Sequence, residues 1–159
     1  MRLPDLCKVS DSHAQRTILV VDDQESVRKS LEHLLGLAGY KVIGAESGRE
    51  AIALAAAEPV DGALIDVHMP VMNGFDTCLG LQDQAHMLGR ELRVWFMTGA
   101  LTRDVGRRCA DLGALEVFAK PFAYTAFLAR LEHGFLSVLP PRPPTTMPAG
   151  ESASTNTPP

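Results

Sequence analysis

The sequence predicts a doubly wound α/β fold: one parallel sheet of five strands, with five helices packed on its two faces. Three observations predict this fold class. Five short apolar runs alternate with five segments of helical periodicity, as parallel strands with helical crossovers require. The runs are apolar throughout, which is typical of strands buried on both faces. The chain has 159 residues, 46% of them apolar, enough for one domain with a buried core.

The first part of the chain predicts two strands and two helices. The continuous apolar run Ile18–Val21 indicates the first strand. Gln24–Leu37 carries apolar residues at helical spacing and indicates the first helix. Tyr40–Ile43 indicates the second strand. Ser47–Glu50 is a capping box, whose hydroxyl and carboxylate accept hydrogen bonds from free amides at a helix start, and the helix then runs through Ala57.

The rest of the chain repeats the alternation three times. The predicted strands are Ala63–Ile65, Val94–Met97 and Leu115–Ala119. The helices that follow them are Phe75–Gln84, Arg103–Leu112 and Tyr124–Leu139. Asn73-Gly74 marks the turn before the first of these helices, and Gly113 ends the second.

Both ends of the chain differ in composition from this alternating part. Residues 1–15 are polar and aperiodic, which predicts a flexible leader. Residues 140–159 are rich in Pro, Ser and Thr and have little to bury, which predicts a disordered tail. The predicted folded domain therefore spans residues 16–139.

Composition also excludes several classes of protein. A formal net charge of -4 argues against direct nucleic-acid binding, which needs a basic face. No apolar stretch approaches the roughly 20 residues of a membrane helix, and the N-terminus lacks the apolar core of a secretory signal. Cys7, Cys78 and Cys109 are widely spaced, so free thiols are expected. These features predict a cytoplasmic protein that does not insert into membranes.

Polar side chains follow four of the five predicted strands, at the points where the strands end. Asp22 and Asp23 follow the first strand, Asp66 the third, Thr98 the fourth and Lys120 the fifth. Because the carboxyl ends of parallel strands meet at one edge of a sheet, these side chains are expected to lie together. Neighbouring carboxylates repel one another, and a cation relieves the repulsion. Their hard oxygen atoms suit Mg²⁺.

Taken singly, each of these residues has an ordinary alternative role. The aspartate pair Asp22–Asp23 could cap the first helix, because aspartates stabilise helix N-termini. Thr98 could be an ordinary strand residue, and Lys120 a solvated surface lysine. Their shared position at strand ends favours a common site.

The chain resembles the receiver domain of bacterial two-component response regulators, from about Arg16 to Leu139. The matching motifs are VVDD at Val20–Asp23, LIDVHMPVMNGF at Leu64–Phe75, FMTG at Phe96–Gly99 and AKPF at Ala119–Phe122. The resemblance implies a flavodoxin-like fold with strand order 2-1-3-4-5. It also implies a phosphoacceptor that switches protein–protein contacts, rather than an enzyme with a separate substrate.

The resemblance implies a role for each strand-end residue. Asp66 would take a phosphoryl group from a sensor histidine kinase or an Hpt protein and form an aspartyl phosphate. Asp23 would bind Mg²⁺ directly and Asp22 through water, and the metal ligands would include Asp66 and the backbone carbonyl of His68.

Two further residues belong to the implied phosphoryl site. Lys120 would pair with the phosphoryl oxygens, and the Thr98 hydroxyl would donate a hydrogen bond to one of them. The resemblance also implies that the Lys120–Pro121 peptide bond is cis.

The chain departs from the family pattern at one position of the switch. In the family an aromatic side chain three residues before the lysine rotates inward on phosphorylation, but this chain has Val117 there. Phe118 is the next residue, and it is predicted to belong to the core because adjacent strand residues face opposite sides.

His68 lies close to the expected path of an attacking water, which suggests that it modulates the lifetime of the phosphorylated state.

The last helix carries more apolar residues than one buried stripe needs, which predicts an exposed apolar patch. Such a patch suggests a homodimer or a downstream protein target bound through this helix. The arginines Arg103, Arg107 and Arg108 could steer an acidic partner, or could simply be solvated.

Two alternative functions stay open at this point. A Mg²⁺-dependent phosphohydrolase of the haloacid dehalogenase type also uses a strand-end aspartate, but its second aspartate would stand where this chain has His68. The chain could also be the receiver fragment of a larger regulator, with the tail as the linker to an output domain.

Overall fold

The computed structural model describes residues 15–139 and contains five strands and five helices. The strands are β1 (Thr17–Val21), β2 (Lys41–Ala45), β3 (Gly62–Asp66), β4 (Arg93–Thr98) and β5 (Glu116–Ala119). The helices are α1 (Glu25–Leu37), α2 (Gly48–Ala57), α3 (Gly74–Met87), α4 (Arg103–Asp111) and α5 (Tyr124–Leu136). All strand pairs are parallel, and the order is β2-β1-β3-β4-β5. The predicted fold class and strand order are confirmed.

All ten predicted elements are present, with shifts at their ends. The second strand was predicted at Tyr40–Ile43 but reaches Ala45, because Gly44 and Ala45 pair with the last residues of β1. The last helix ends at Leu136 rather than at Leu139, because the backbone of Ser137 is extended, with φ of -76° and ψ of 152°. The predicted leader and tail lie outside the described residues, apart from Gln15.

Each strand of the sheet contributes side chains to two cores. In β1, Ile18 and Val20 face α1 and α5, whereas Leu19 and Val21 face α2, α3 and α4. Every residue of β1 is buried, which explains why its sequence is a continuous apolar run. β1 lies between β2 and the central strand β3, so the aspartate pair that follows β1 lies beside the end of β3 at the edge of the sheet.

The fifth strand divides between the two cores as predicted. Phe118 is fully buried, which confirms its predicted place in the core, and it packs against Phe122 and Phe127. Val117 is half-buried on the opposite face of the sheet. The residue at the switch position is therefore aliphatic and separate from this aromatic cluster.

The helix starts show local capping. The Ser47 hydroxyl accepts a hydrogen bond from the amide of Glu50, as the predicted capping box requires. The Glu50 carboxylate, however, accepts from the amide of Glu46 rather than that of Ser47. Asn73 caps α3 through the amide of Asp76, at 2.9 Å.

The last helix buries most of its apolar side chains. Phe127, Leu131 and Phe135 are all buried in the core beneath it. The large apolar side chains that are exposed there are Leu136 at 75% and Val138 at 94%. The predicted apolar patch along this helix is therefore wrong except at its C-terminal end, because the helix turns a wide apolar face towards α1, β4 and β5.

Two of the three cysteines lie within the described residues. Cys78 and Cys109 are free thiols in the core on the α2–α4 side of the sheet. Burial raises the pKa of Cys78 to about 12 and that of Cys109 to about 11. Both are therefore poor nucleophiles, and both are free thiols, as predicted. Cys7 lies outside the described residues, and none of the described helices has the length and apolar character needed to cross a bilayer.

Candidate functional site

Three aspartates meet at the edge where the strands end. Asp22 and Asp23 follow β1, and Asp66 is the last residue of β3, the strand beside it. One carboxylate oxygen from each of the three lies within 4.8 Å of the others. Asp22 is 0% exposed and Asp66 is 6% exposed, whereas Asp23 is open to solvent. The site is thus a crowded, mostly buried carboxylate cluster.

Lys120 provides the positive charge nearest to this cluster among the described residues. Its Nζ lies 2.7 Å from Oδ2 of Asp22 and 3.4 Å from Oδ1 of Asp66. It follows β5 directly, and its amide donates to the carbonyl of Thr98 at 2.8 Å. The Lys120–Pro121 peptide bond is cis, as the resemblance implies. The tighter contact of the ammonium is with Asp22.

The pKa of Asp66 reflects this crowding. Burial raises the pKa of its carboxyl above the ordinary 3.8, and the charges of Asp22 and Asp23 raise it further. The ammonium of Lys120 lowers it, but not enough to cancel the effect of burial. A carboxylate in this state is destabilised, and any cation or hydrogen-bond donor that reaches it relieves the destabilisation.

Thr98 ends β4 next to this cluster. It is fully buried, and β4 places it one residue beyond Met97, which pairs with Asp66. Its hydroxyl oxygen accepts a hydrogen bond from the amide of Ala100 at 3.1 Å. Its hydroxyl hydrogen is therefore available to an acceptor at the sheet edge.

The loop after Asp66 folds back tightly beneath it. The amide of Gly74 donates to the carbonyl of Val67 at 2.9 Å. A Cβ at Gly74 would overlap the carbonyl oxygen of Asp66 and would lie 2.8 Å from Cα of Val67, so only glycine fits there. Sequence reasoning identified Asn73-Gly74 as a turn but did not foresee this close approach to Asp66.

The same loop contains a strained residue. Val71 has φ of 67°, and the amide of Met72 donates to the carbonyl of Pro70 at 2.8 Å, so the three residues form a γ-turn. A β-branched residue is unfavourable in this conformation. Val71 is 97% exposed and buries nothing in return. His68, earlier in the loop, is also exposed.

Sequence reasoning missed one residue beside the site. Arg28 of α1 donates from Nη1 to the carbonyl oxygen of Asp22 at 2.8 Å. One signal in the sequence could have indicated this role. Arg28 is a cation in the first turn of a helix, where the helix dipole favours anions, so its position suggests another interaction.

A parallel sheet in this strand order, with an aspartate cluster and a lysine at its carboxyl edge, is what the resemblance to receiver domains implies, and the comparisons with known proteins support the same class. Residues 18–132 match the family model described as the response regulator receiver domain. The chain therefore belongs to the receiver-domain family of response regulators. The match to this family does not favour the phosphohydrolase interpretation.

Particular relatives can be given for this chain. It is 40% identical over 117 residues to Response regulator MprA of Mycolicibacterium vanbaalenii, an alignment covering 72% of this chain and 48% of that protein. The chain thus spans about half the length of the curated relatives that it matches. The crystal structure of the chemotaxis protein CheY4 of Vibrio cholerae has a TM-score of 0.69 and 32% identity, and the match covers 76% of this chain and 98% of CheY4.

A further neighbour shares the fold. The CheX–CheY–BeF3–Mg2+ complex of Borrelia burgdorferi has a TM-score of 0.70 and 22% identity, and the match covers 77% of this chain and 90% of that one. At this identity the likeness concerns the arrangement of strands and helices.

Proposed function

We propose that this protein is a phosphoacceptor switch, in which Asp66 takes a phosphoryl group from a phosphohistidine in a Mg²⁺-dependent reaction. The observation that carries the proposal is the position of Asp66. Its carboxylate lies at the sheet edge, 3.4 Å from Lys120 Nζ and clustered with two further carboxylates. Phosphoryl transfer needs positioning and charge neutralisation more than covalent chemistry, and this set of residues supplies both.

The proposed reaction has one bond-making and one bond-breaking event. A carboxylate oxygen of Asp66 attacks the phosphorus atom, and the bond between phosphorus and the histidine nitrogen breaks. The electron pair stays on that nitrogen, which takes up a proton, and the product is an acyl phosphate on Asp66. The ammonium of Lys120 pairs with the phosphoryl oxygens, and the hydroxyl of Thr98 donates a hydrogen bond to one of them.

The donor set fits Mg²⁺. Three carboxylates with oxygens within 4.8 Å of one another carry more negative charge than Lys120 balances, and all the donors are hard oxygen atoms. Asp23, Asp66 and the backbone carbonyl of His68 would hold the ion directly, and Asp22 would hold it through water. When bound, the ion supplies positive charge beside the transferring phosphoryl oxygens. The Borrelia burgdorferi neighbour was solved with Mg2+ and BeF3.

The proposed partners follow from the reaction. A sensor histidine kinase or an Hpt protein in the cytoplasm supplies the phosphoryl group, and a downstream protein or a second copy of the chain receives the signal. In this proposal Thr98 moves towards the phosphoryl group on phosphorylation, as its counterpart does in the family. The aromatic part of the family switch is not retained, because Val117 has no ring to rotate.

Labelling with acetyl phosphate tests the proposal directly. We expect the wild-type chain to gain the mass of one phosphoryl group in the presence of Mg²⁺, and to gain nothing when EDTA is added. The matched variant Asp66→Asn should stay unlabelled. Labelling of this variant at the wild-type rate, or an unlabelled wild type, would overturn the proposal.

The lifetime of the phosphorylated state tests the role proposed for His68. We expect the dephosphorylation rate of His68→Asn to differ from that of the wild type, because this side chain lies beside the expected path of water. Equal rates would remove His68 from the mechanism and leave the rest of the proposal in place.

A further inference from the structure

The side chain of Arg28 holds the backbone between the first two aspartates. Its Nη1 donates to the carbonyl oxygen of Asp22 at 2.8 Å. Its side chain is half-buried, and it forms no ion pair with a carboxylate within the part of the chain that the structure describes. The guanidinium is therefore committed to a backbone group rather than to a charge.

This hydrogen bond fixes the peptide plane that links Asp22 to Asp23. Asp22 itself is held elsewhere as well: its amide donates to Ala45, and its carboxylate accepts from the amide of Gln24 at 2.9 Å. The carboxylate of Asp23 is exposed and has no hydrogen-bond or ion-pair partner among residues 15–139. Its direction therefore depends on the backbone, and Arg28 is the side chain that ties that backbone down.

A second, independent feature is the glycine that lets Arg28 reach this carbonyl. In β2, a Cβ on Gly44 would overlap the carboxylate of Glu32 and would lie 3.2 Å from Cδ of Arg28. The side chains of Arg28 and Glu32 thus pack against Gly44 of β2, in space that a side chain at this position would need. Glycine weakens a strand and often marks a close approach, and here it makes room for the arginine.

From these two features we infer that Arg28 is a positioning residue: it aims the carboxylate of Asp23 and so sets the affinity of the aspartate cluster for Mg²⁺. The inference rests on the proposed function, because it concerns the same metal site. Arg28 would touch neither the metal nor the phosphoryl group.

Charge alone predicts the opposite result, which makes the inference testable. A guanidinium beside a cation site repels the cation, so its removal should strengthen Mg²⁺ binding if only Coulomb forces mattered. If Arg28 acts by positioning, its removal should weaken binding. The sign of the change in affinity therefore separates the two effects.

The experiment is isothermal titration of the full chain with MgCl₂, comparing the wild type with Arg28→Met and Arg28→Lys. We expect the Kd to rise about tenfold in Arg28→Met, at the lower end of the effect of outer-shell groups in metal sites. Arg28→Lys keeps the charge but has a shorter reach, so it should also weaken binding. The control is Lys29→Met, which removes an exposed cation from the same helix and should leave the Kd unchanged.

A second pair of variants changes no charge. Gly44→Ala places a methyl group against Arg28 and Glu32, and it should weaken Mg²⁺ binding in the same direction. Gly36→Ala is its control, because Gly36 lies in α1 with open space around it. This pair still decides the question if Arg28→Met fails to fold.

Labelling with acetyl phosphate separates positioning from a general loss of structure. The Mg²⁺ concentration for half-maximal labelling should rise in Arg28→Met, while the rate recovers at saturating Mg²⁺. An unchanged or lower Kd in both Arg28→Met and Gly44→Ala would overturn this inference alone. A wild type that neither binds Mg²⁺ nor becomes labelled would overturn the proposed function as well.

Discussion

Replacing Lys120 with methionine removes the counter-charge from the aspartate cluster while keeping an apolar side chain of similar length. The ammonium lies 2.7 Å from the fully buried carboxylate of Asp22 and 3.4 Å from that of Asp66. After the substitution, three carboxylates remain within 4.8 Å of one another with no cation between them. We expect this variant to be less stable, with a penalty that depends on pH and on Mg²⁺.

The magnitude follows from the burial of the partners. Removing one partner of a buried ion pair costs about 3–5 kcal/mol. The side chain of Lys120 is 22% exposed, so the lower end applies. We expect a loss of about 3 kcal/mol in the free energy of unfolding at neutral pH, which lowers the Tm by about 10 °C for a domain of this size.

The sign of the pH dependence follows from the pKa of Asp66. Burial already raises that pKa above 3.8, and Lys120 opposes the shift, so its removal raises the pKa further. A carboxyl whose pKa is raised by folding contributes stability below the unfolded-state pKa, and this contribution is lost as pH rises through the folded-state pKa. The penalty in Lys120→Met should therefore be largest at neutral pH and should shrink on acidification towards 3.8.

Urea unfolding followed by circular dichroism measures this penalty at neutral and acidic pH, with and without Mg²⁺. Bound Mg²⁺ should reduce it, because the ion replaces the missing positive charge. The control Lys29→Met breaks a solvent-exposed pair with Glu25 and should not shift the transition measurably. A penalty that is the same at every pH and Mg²⁺ concentration would refute the reasoning and would assign the effect to packing of the lysine stem.

Three further predictions concern the loop and the acceptor. Val71→Asn should raise the free energy of unfolding by about 1 kcal/mol in urea titrations, because asparagine tolerates positive φ and the exposed valine buries nothing. A lower free energy of unfolding in this variant would show that the valine side chain stabilises the fold. Gly74→Ala should cost about 2–3 kcal/mol and slow acetyl phosphate labelling, since its Cβ overlaps the backbone of Asp66, whereas Gly36→Ala should do neither. In a carbon-13 titration without metal, Asp66 should titrate above the ordinary 3.8, and normal titration would contradict the role of burial.

Much of the fold could be predicted from the sequence because burial leaves a local pattern. A strand covered on both faces, such as Ile18–Val21, must be apolar at every position, and helices show their period in the same way. The strand-end aspartates, Thr98 and Lys120 could be proposed as one site because parallel strands end at one edge. These inferences need only neighbours in the chain and the geometry of a parallel sheet.

The tertiary structure decided what depends on residues far apart in the chain. Lys120 and Asp22 are 98 positions apart, and nothing local indicates that the ammonium contacts Asp22 more closely than Asp66. The contact of Arg28 in α1 with the Asp22 carbonyl depends on the missing side chain of Gly44 in β2. The last helix buries its wide apolar face because three neighbouring elements cover it. Periodicity records that a side chain is buried, but only packing determines which groups it meets.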